Sequence, residues 1–351
     1  MICLGTLVVM SWASGTTVTQ AVSKLQAAAA SAVRAETGAS IGKGRMGFLL
    51  MDGRMASSRF RSLAIDSPPI LPDGKELRVK MQSIHVAVGL AMAGMTAVHA
   101  QAPAVPVTVD NFVRAESDMY MANLAKGSDL GKLSHRRQAA SDDNQTVVRL
   151  NRDTLYSSAV FDLDSGPVTV TLPDAGKRFM SMQVIREDHY VPDVFYGAGS
   201  HTLTREGVGT RYAVVGIRTL VDPGDPQDVK QVHALQDAIK VSQPGGPGKL
   251  EMPNWDPVSQ KKVRDALLVL GSTTPDFKGA FGKKGEVDPV RRLLGAAGGW
   301  GGNPDKDATY LNVTPPKNDG KTVYRLNVKG VPVDGFWSVS VYNAEGYYQK
   351  N

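Results

Sequence analysis

The spacing of apolar residues changes period along the chain, and this limits the folds open to it. From residue 146 to residue 219 the period is two. The runs 146–151, 154–162, 168–172, 178–187 and 211–219 are rich in β-branched residues and are split by turn residues. Val168, Val170 and Leu172 alternate with Thr169 and Thr171, giving one apolar and one polar face. Asp164-Ser165-Gly166-Pro167 supplies turn chemistry between two of the runs. Short antiparallel strands at this spacing predict a β-sandwich over 138–222.

Beyond Val221 the period becomes helical. Asp225-Pro226 opens a helix through 240, Asp256-Pro257 one through 270, and Asp288-Pro289 one ending at 295. In each, Asp stands at the N-cap and Pro at the first helical position, where its missing N–H costs nothing. A helical insert over 223–304 follows. Another helix, capped by Asp110 and running to Gly127, is expected within an N-terminal helical segment, 101–137. Strands return at 310–313, 322–328 and 336–342, and the alternation of Trp337 with Val339 and Val341 predicts a core position for Trp337. Three strands cannot close a sandwich, so 305–351 reads as a truncated C-terminal domain. The fold class expected is α+β, mainly β.

The stretch 81–100 has the features of a signal peptide. Arg78 and Lys80 precede an apolar run over 86–98, and Val98-His99-Ala100 offers a cleavage site before Gln101-Ala102-Pro103. The run falls short of the ~20 apolar residues of a membrane span. The expectation is a periplasmic or secreted protein with no transmembrane span in its mature part. Residues 1–80 then read as an extension, either disordered or over-called reading frame, with Met51, Met55 or Met81 as the true start. Residues 1–100 hold ten of the 40 Lys and Arg but five of the 34 Asp and Glu. The rest is nearly neutral, with no bulk field to gather phosphate backbones, which excludes nucleic acid as a partner. The lone cysteine, Cys3, lies upstream, which excludes disulfides, thiolate metal sites and cysteine nucleophiles from the folded part.

The run Asn151-Arg152-Asp153-Thr154-Leu155-Tyr156-Ser157-Ser158-Ala159-Val160-Phe161-Asp162 resembles the signature of a bacterial family carrying domain of unknown function 1254, and 178–190 with Tyr196-Gly197 resembles its continuation. The tail over 335–347 resembles the start of a partner domain, number 1214. The resemblance implies an immunoglobulin-like sandwich, a helical insert and the start of a jelly-roll-like C-terminal domain, following a signal peptide. It covers roughly 108–351 and leaves residues 1–80 without a counterpart.

Three clusters carry candidate chemistry. Asn151-Arg152-Asp153 with Tyr156 could hold a carboxylate or phosphate in the planar fork of Arg152, oriented by Asp153; the same residues would equally build an ion pair and an Asx turn. His189, beside Glu187, Asp188 and Tyr190, could act as a general base. A metal there would need His201 or Asp193, whose spacing matches no standard motif, so no metal or other cofactor is expected. Trp300, between Gly298-Gly299 and Gly301-Gly302, could offer a face to a ligand that the loop backbone lets approach. No G-x-S-x-G, phosphate loop or complete dinucleotide fingerprint occurs.

Three roles are compatible with these residues. The leading one is an envelope protein that binds a small molecule, lipid or glycan at a domain junction through Asn151, Arg152, Tyr156, His189, Tyr190 and Trp300. The second is a hydrolase with His189 as base and Arg152 stabilising developing negative charge. The third is a structural or assembly protein, which predicts a stable homo-oligomer.

Overall fold

A computed structural model describes residues 7–11, 103–141, 151–313 and, with breaks, 317–348. The expected strand residues 146–150, the signal-like stretch 81–100 and nearly all of the upstream extension lie outside these. The chain divides into two units, Met1–Gly38 with Pro103–Asn351 and Ala39–Ala102, and every described residue belongs to the first.

In chain order the described elements are β1 (Leu7–Ser11), α1 (Phe112–Ser128), β2 (Ser134–His135), β3 (Thr154–Asp162), β4 (Val168–Leu172), β5 (Met180–Arg186), β6 (Val194–Tyr196), β7 (Gly199–Leu203), the single turn α2 (Arg205–Val208), β8 (Tyr212–Leu220), α3 (Pro226–Ala238), β9 (Lys240–Ser242), α4 (Pro257–Gly271), α5 (Pro289–Gly299), β10 (Thr309–Val313) and β11 (Trp337–Ser340). They form three open antiparallel sheets with strand orders β2-β3-β8-β5-β6, β7-β4-β9 and β10-β1-β11. The architecture is mixed α/β and mainly β.

The first two sheets pack face to face. Ala159 and Phe161 of β3, Met182 and Val184 of β5, and Val215 and Ile217 of β8 meet Val168, Val170 and Leu172 of β4, with Leu203 and Ile239 closing the edges. Burial of each larger side chain contributes about 1.5–3 kcal/mol, and period-two alternation puts them all on one side.

The three Asp-Pro starts cap as expected. Asp225 accepts from Gln227 N–H, Asp256 from Val258 and Ser259 N–H, and Asp288 from Arg291 N–H. Each such cap contributes about 1 kcal/mol. Helices α4 and α5 pack on α1 through Phe112, Val113, Leu267 and Leu294, so the helical layer rests on the N-terminal helix.

Several expectations need correction. The N-cap of α1 is Asn111, not Asp110, and its side chain accepts from Thr108 N–H (2.8 Å) instead of capping the helix. Helix α5 passes Gly295 and ends at Gly299; Gly295 and Gly298 sit against Phe281 and Phe277, where a side chain would clash, so these glycines serve close packing and not a stop. Residues 322–328 form no strand; alternation specifies an extended backbone, but no ladder partner meets them among the described residues. Trp337 is 45% exposed. Its strand is turned the other way: Phe336 packs edge-on against Phe179 and Ser338 Oγ donates to Asp153 (2.7 Å), leaving Trp337 on the outer side.

Candidate functional site

The second face of the five-stranded sheet positions the polar residues. Cross-strand register sets three rows on it. Val160, Val214 and Ile185 form the first, packed under Met121 of α1 and Trp300. Ser158, Gly216, Gln183 and Val194 form the second, and Tyr156, Arg218, Ser181 and Tyr196 the third. The face is therefore apolar at one end and polar at the other. A side chain at Gly216 would meet nothing within 4 Å, so the strand leaves open space in the middle of the polar rows.

A loop after α5 lies along this face and ties the rows together. His189 Nε2 accepts from Gly301 N–H (2.9 Å), and Gln183 Nε2 donates to Gly302 O (2.7 Å). Asn303, with its amide oriented to suit both neighbours, donates to Gln183 Oε1 (3.0 Å) and accepts from both terminal nitrogens of Arg218. Gly302 must be glycine, because a Cβ there would lie 2.4 Å from the Phe281 ring.

Arg218 is the centre of the third row. Its guanidinium lies 5.4 Å from the Tyr156 ring centroid, and Tyr310 of β10 is a close electrostatic neighbour. Burial works against its charge, but the hydroxyls of Tyr156 and Tyr310 outweigh that and hold its pKa above the ordinary value. Tyr196 (46% exposed) and Tyr310 (37% exposed) are partly open to solvent as residues, while burial and neighbouring groups keep both phenols protonated beyond their usual range. Tyr196 Oη donates to Asp307 Oδ1 (2.7 Å), and burial raises the Asp307 carboxyl above its ordinary range. The arrangement sets a guanidinium, with Asn303, Tyr156 and Tyr310 around it, in the row next to the open position at Gly216, and a guanidinium so placed can donate to the oxygens of an anion.

The residues singled out in the sequence divide between two ends of this face. Asn151 and Tyr156 stand at the Arg218 end, where Asn151 Nδ2 donates to Tyr156 Oη (3.3 Å) and Thr154 Oγ1 (3.1 Å). Asn151 Oδ1 also accepts from Asp153 N–H (2.7 Å), an Asx turn. Arg152 lies over the Tyr348 ring at 5.4 Å, and Asp153 accepts from Ser338 of β11, so both reach the C-terminal segment.

His189, Tyr190 and Trp300 stand at the other end. His189, with φ +63°, is 1% exposed and stacks on Trp300 (5.5 Å, 19°), which stacks on Tyr120 (4.6 Å, 12°). Burial, helped by Arg292, pulls its pKa down to about 3, so the ring is neutral and Nε2 is already taken by Gly301. Trp300 Nε1 donates to Ser117 Oγ (3.0 Å), and Tyr190 lies between Arg186 and Arg292. His201 stacks on Phe195 in β7, and Asp193 pairs with Lys283 (3.7 Å).

Behind the stack, three polar residues of α1 are buried. Glu116 receives two bonds from Arg264 (2.7 and 2.6 Å) and one from Gln260 (2.9 Å). Asp118 Oδ2 accepts from Trp255 Nε1 (2.8 Å), and its carboxyl is pushed up to about 6, mainly by burial, with Glu187 adding to the effect. Glu187 itself is held by Arg114 (2.8 Å) and Tyr212 N–H. A separate shallow groove of about 590 Å³, lined by Pro173, Arg178, Ala234 and Leu235, carries less chemistry, because Arg178 is committed to Asp228 and the Leu220 carbonyl.

Gln183, Tyr196, Gly216, Arg218, Asn303, Asp307 and Tyr310 were not singled out in the sequence. The signal for two of them was present: Gly216 and Arg218 interrupt the outward positions of a strand that is otherwise apolar there.

Among the described residues no helix is long and apolar enough to cross a membrane. No curated protein matches the chain. Among solved structures it is similar to that of the VPA0106 protein from Vibrio parahaemolyticus, with a TM-score of 0.44 and 14% identity over 56% of this chain and 66% of that one. Residues 130–216, which run through β2 to Gly216 in β8, match the family described as a protein of unknown function, DUF1254.

Proposed function

We propose that the protein is an exported envelope protein, periplasmic or secreted, that binds a small molecule bearing a carboxylate or phosphate over Gly216, with Arg218 as its anchor. The observation that carries this is the pairing of an open position at Gly216 with a guanidinium in the adjacent row, held from both sides by Asn303, Tyr310 and Tyr156. Such a preorganised guanidinium donates to carboxylate or phosphate oxygens without first having to be ordered. The signal-like residues 81–100 support export. The resemblance supports an immunoglobulin-like sandwich over 138–222 and a jelly-roll-like C-terminal domain of the 1214 type, whose β10 contributes Tyr310.

His189 serves to hold the loop in this reading. Its accepting nitrogen is occupied and its ring is enclosed by aromatics, which leaves it poorly placed as a base. The test is a thermal-unfolding screen of the full chain against propionate, inorganic phosphate and neutral sugars. A ligand at ~100 times its dissociation constant adds ~2.7 kcal/mol of stability. Propionate or phosphate should raise the melting temperature of the wild type and leave Arg218→Gln unmoved. Stabilisation by neutral sugars alone, or an equal response of the variant, would refute the anchor.

A further inference from the structure

We infer that the ligand carries a hydrogen-bond donor as well as its acid group, and that Asp307 receives that donor. This rests on the reading of Arg218 as the acid anchor.

Asp307 is 5% exposed, and its two carboxyl oxygens differ. Oδ1 accepts from Tyr196 Oη, whereas Oδ2 is buried with no hydrogen-bond partner among the described residues. A buried carboxyl oxygen without a donor is costly, and such atoms in native proteins are generally met by water or ligand. Burial holds this carboxyl above its ordinary range, so an arriving donor would relieve an existing penalty.

Its location gives the atom a use. Tyr196 ends the same cross-strand row that contains Arg218. Asn303, which fixes Arg218, lies four residues before Asp307 in the same loop. One segment thus meets this row twice, Asn303 on Arg218 and Asp307 on Tyr196, with the part-exposed Tyr196 and Tyr310 beside it. A molecule with an acid at one end and a hydroxyl or amine at the other satisfies both Arg218 and Asp307. The ligand class is therefore a small hydroxy acid or amino acid.

Calorimetric titration of the full chain with propionate, lactate, alanine and β-alanine tests this. At least one hydroxy or amino acid should bind about tenfold or more tightly than propionate, the gain of one well-placed hydrogen bond. Asp307→Asn keeps the side-chain shape and an acceptor oxygen but removes the charge. It should abolish a preference for the amino acids, retain most of one for lactate, and leave propionate binding no weaker than in the wild type. Asp307→Ala should abolish both preferences. Propionate binding as tightly as all its relatives, or a preference that survives Asp307→Ala, would overturn the role of Asp307 while leaving the Arg218 anchor standing. Failure of every acid to bind the wild type would overturn the anchor itself.

Discussion

The two faces of the five-stranded sheet are made by the same strands and obey different constraints. On the inner face Ala159, Val215 and Val184 form one cross-strand row and Ile217, Met182 and Phe195 fall in the next, all packed against the second sheet. One residue further along each strand, the outer face begins with Val160, Val214 and Ile185 and then turns to Ser158, Gly216 and Gln183, followed by Tyr156, Arg218, Ser181 and Tyr196. Apolar burial explains most of the first face, on which Ser157 and Thr219 are the buried polar exceptions. It does not explain why a buried surface should carry a guanidinium, two amides and a gap, since each costs desolvation or lost packing. Where a strand departs from what stability favours while its other face does not, the departure marks the place to look for binding.

The strongest way to break this comparison is to cut into each face. Phe161→Ala on the inner face should cost about 3–5 kcal/mol in urea unfolding, the range for a fully buried phenylalanine. A loss under about 1 kcal/mol would mean that the inner face is not the stabilising one.

The outer side should also carry pH dependence that the apolar face cannot. The Asp118 carboxyl sits at about 6 against an ordinary value of 3.8. It therefore binds its proton more tightly when folded, and its contribution is full below pH 3.8 and lost as pH rises through 6. Compared with Asp118→Asn, the wild type should lose on the order of 2–3 kcal/mol across that window. His189 has the opposite sign. Its pKa is lowered from 6.5 to about 3, so its contribution is full above 6.5 and falls away as the solution is acidified toward 3. His189→Asn, which tolerates the left-handed backbone, should flatten the acid side of the stability curve. Superimposable pH profiles for wild type and both variants would contradict these assignments.

The smallest expected stability change is the most informative for function. Gly216→Ala adds a methyl where nothing lies within 4 Å, and replacing glycine within a strand favours folding by roughly 0.5–1 kcal/mol. The same methyl should weaken acid binding. A variant that gains stability and keeps full affinity would place the ligand elsewhere.

The sequence reading reached the strands and the capped helices because both rest on local rules: alternation on a half-buried surface, and an Asp side chain satisfying free amides. It also singled out Asn151 and Tyr156, which the structure places at the Arg218 end of the outer face, since these stand at a strand start with recognisable turn chemistry. Arg218, Gln183 and Asn303 were not legible, because what brings them together is the register of β3, β8 and β5 and a loop more than 80 residues away. Trp300 and His189 stood out by type, yet their stacking on each other and on Tyr120 comes from that same loop. Trp337 misled because alternation gives two faces but not which one is covered; Phe336 against Phe179 decides that.

The most direct test of the central claim is calorimetric titration of propionate into the wild type and Gly216→Val, with the fold of each checked by urea unfolding. The wild type should show saturable binding, and the variant none, while its urea unfolding stays cooperative; a Cβ at this position meets nothing within 4 Å. Undiminished binding by a folded Gly216→Val chain would show that the open position over Gly216 is not where the acid sits.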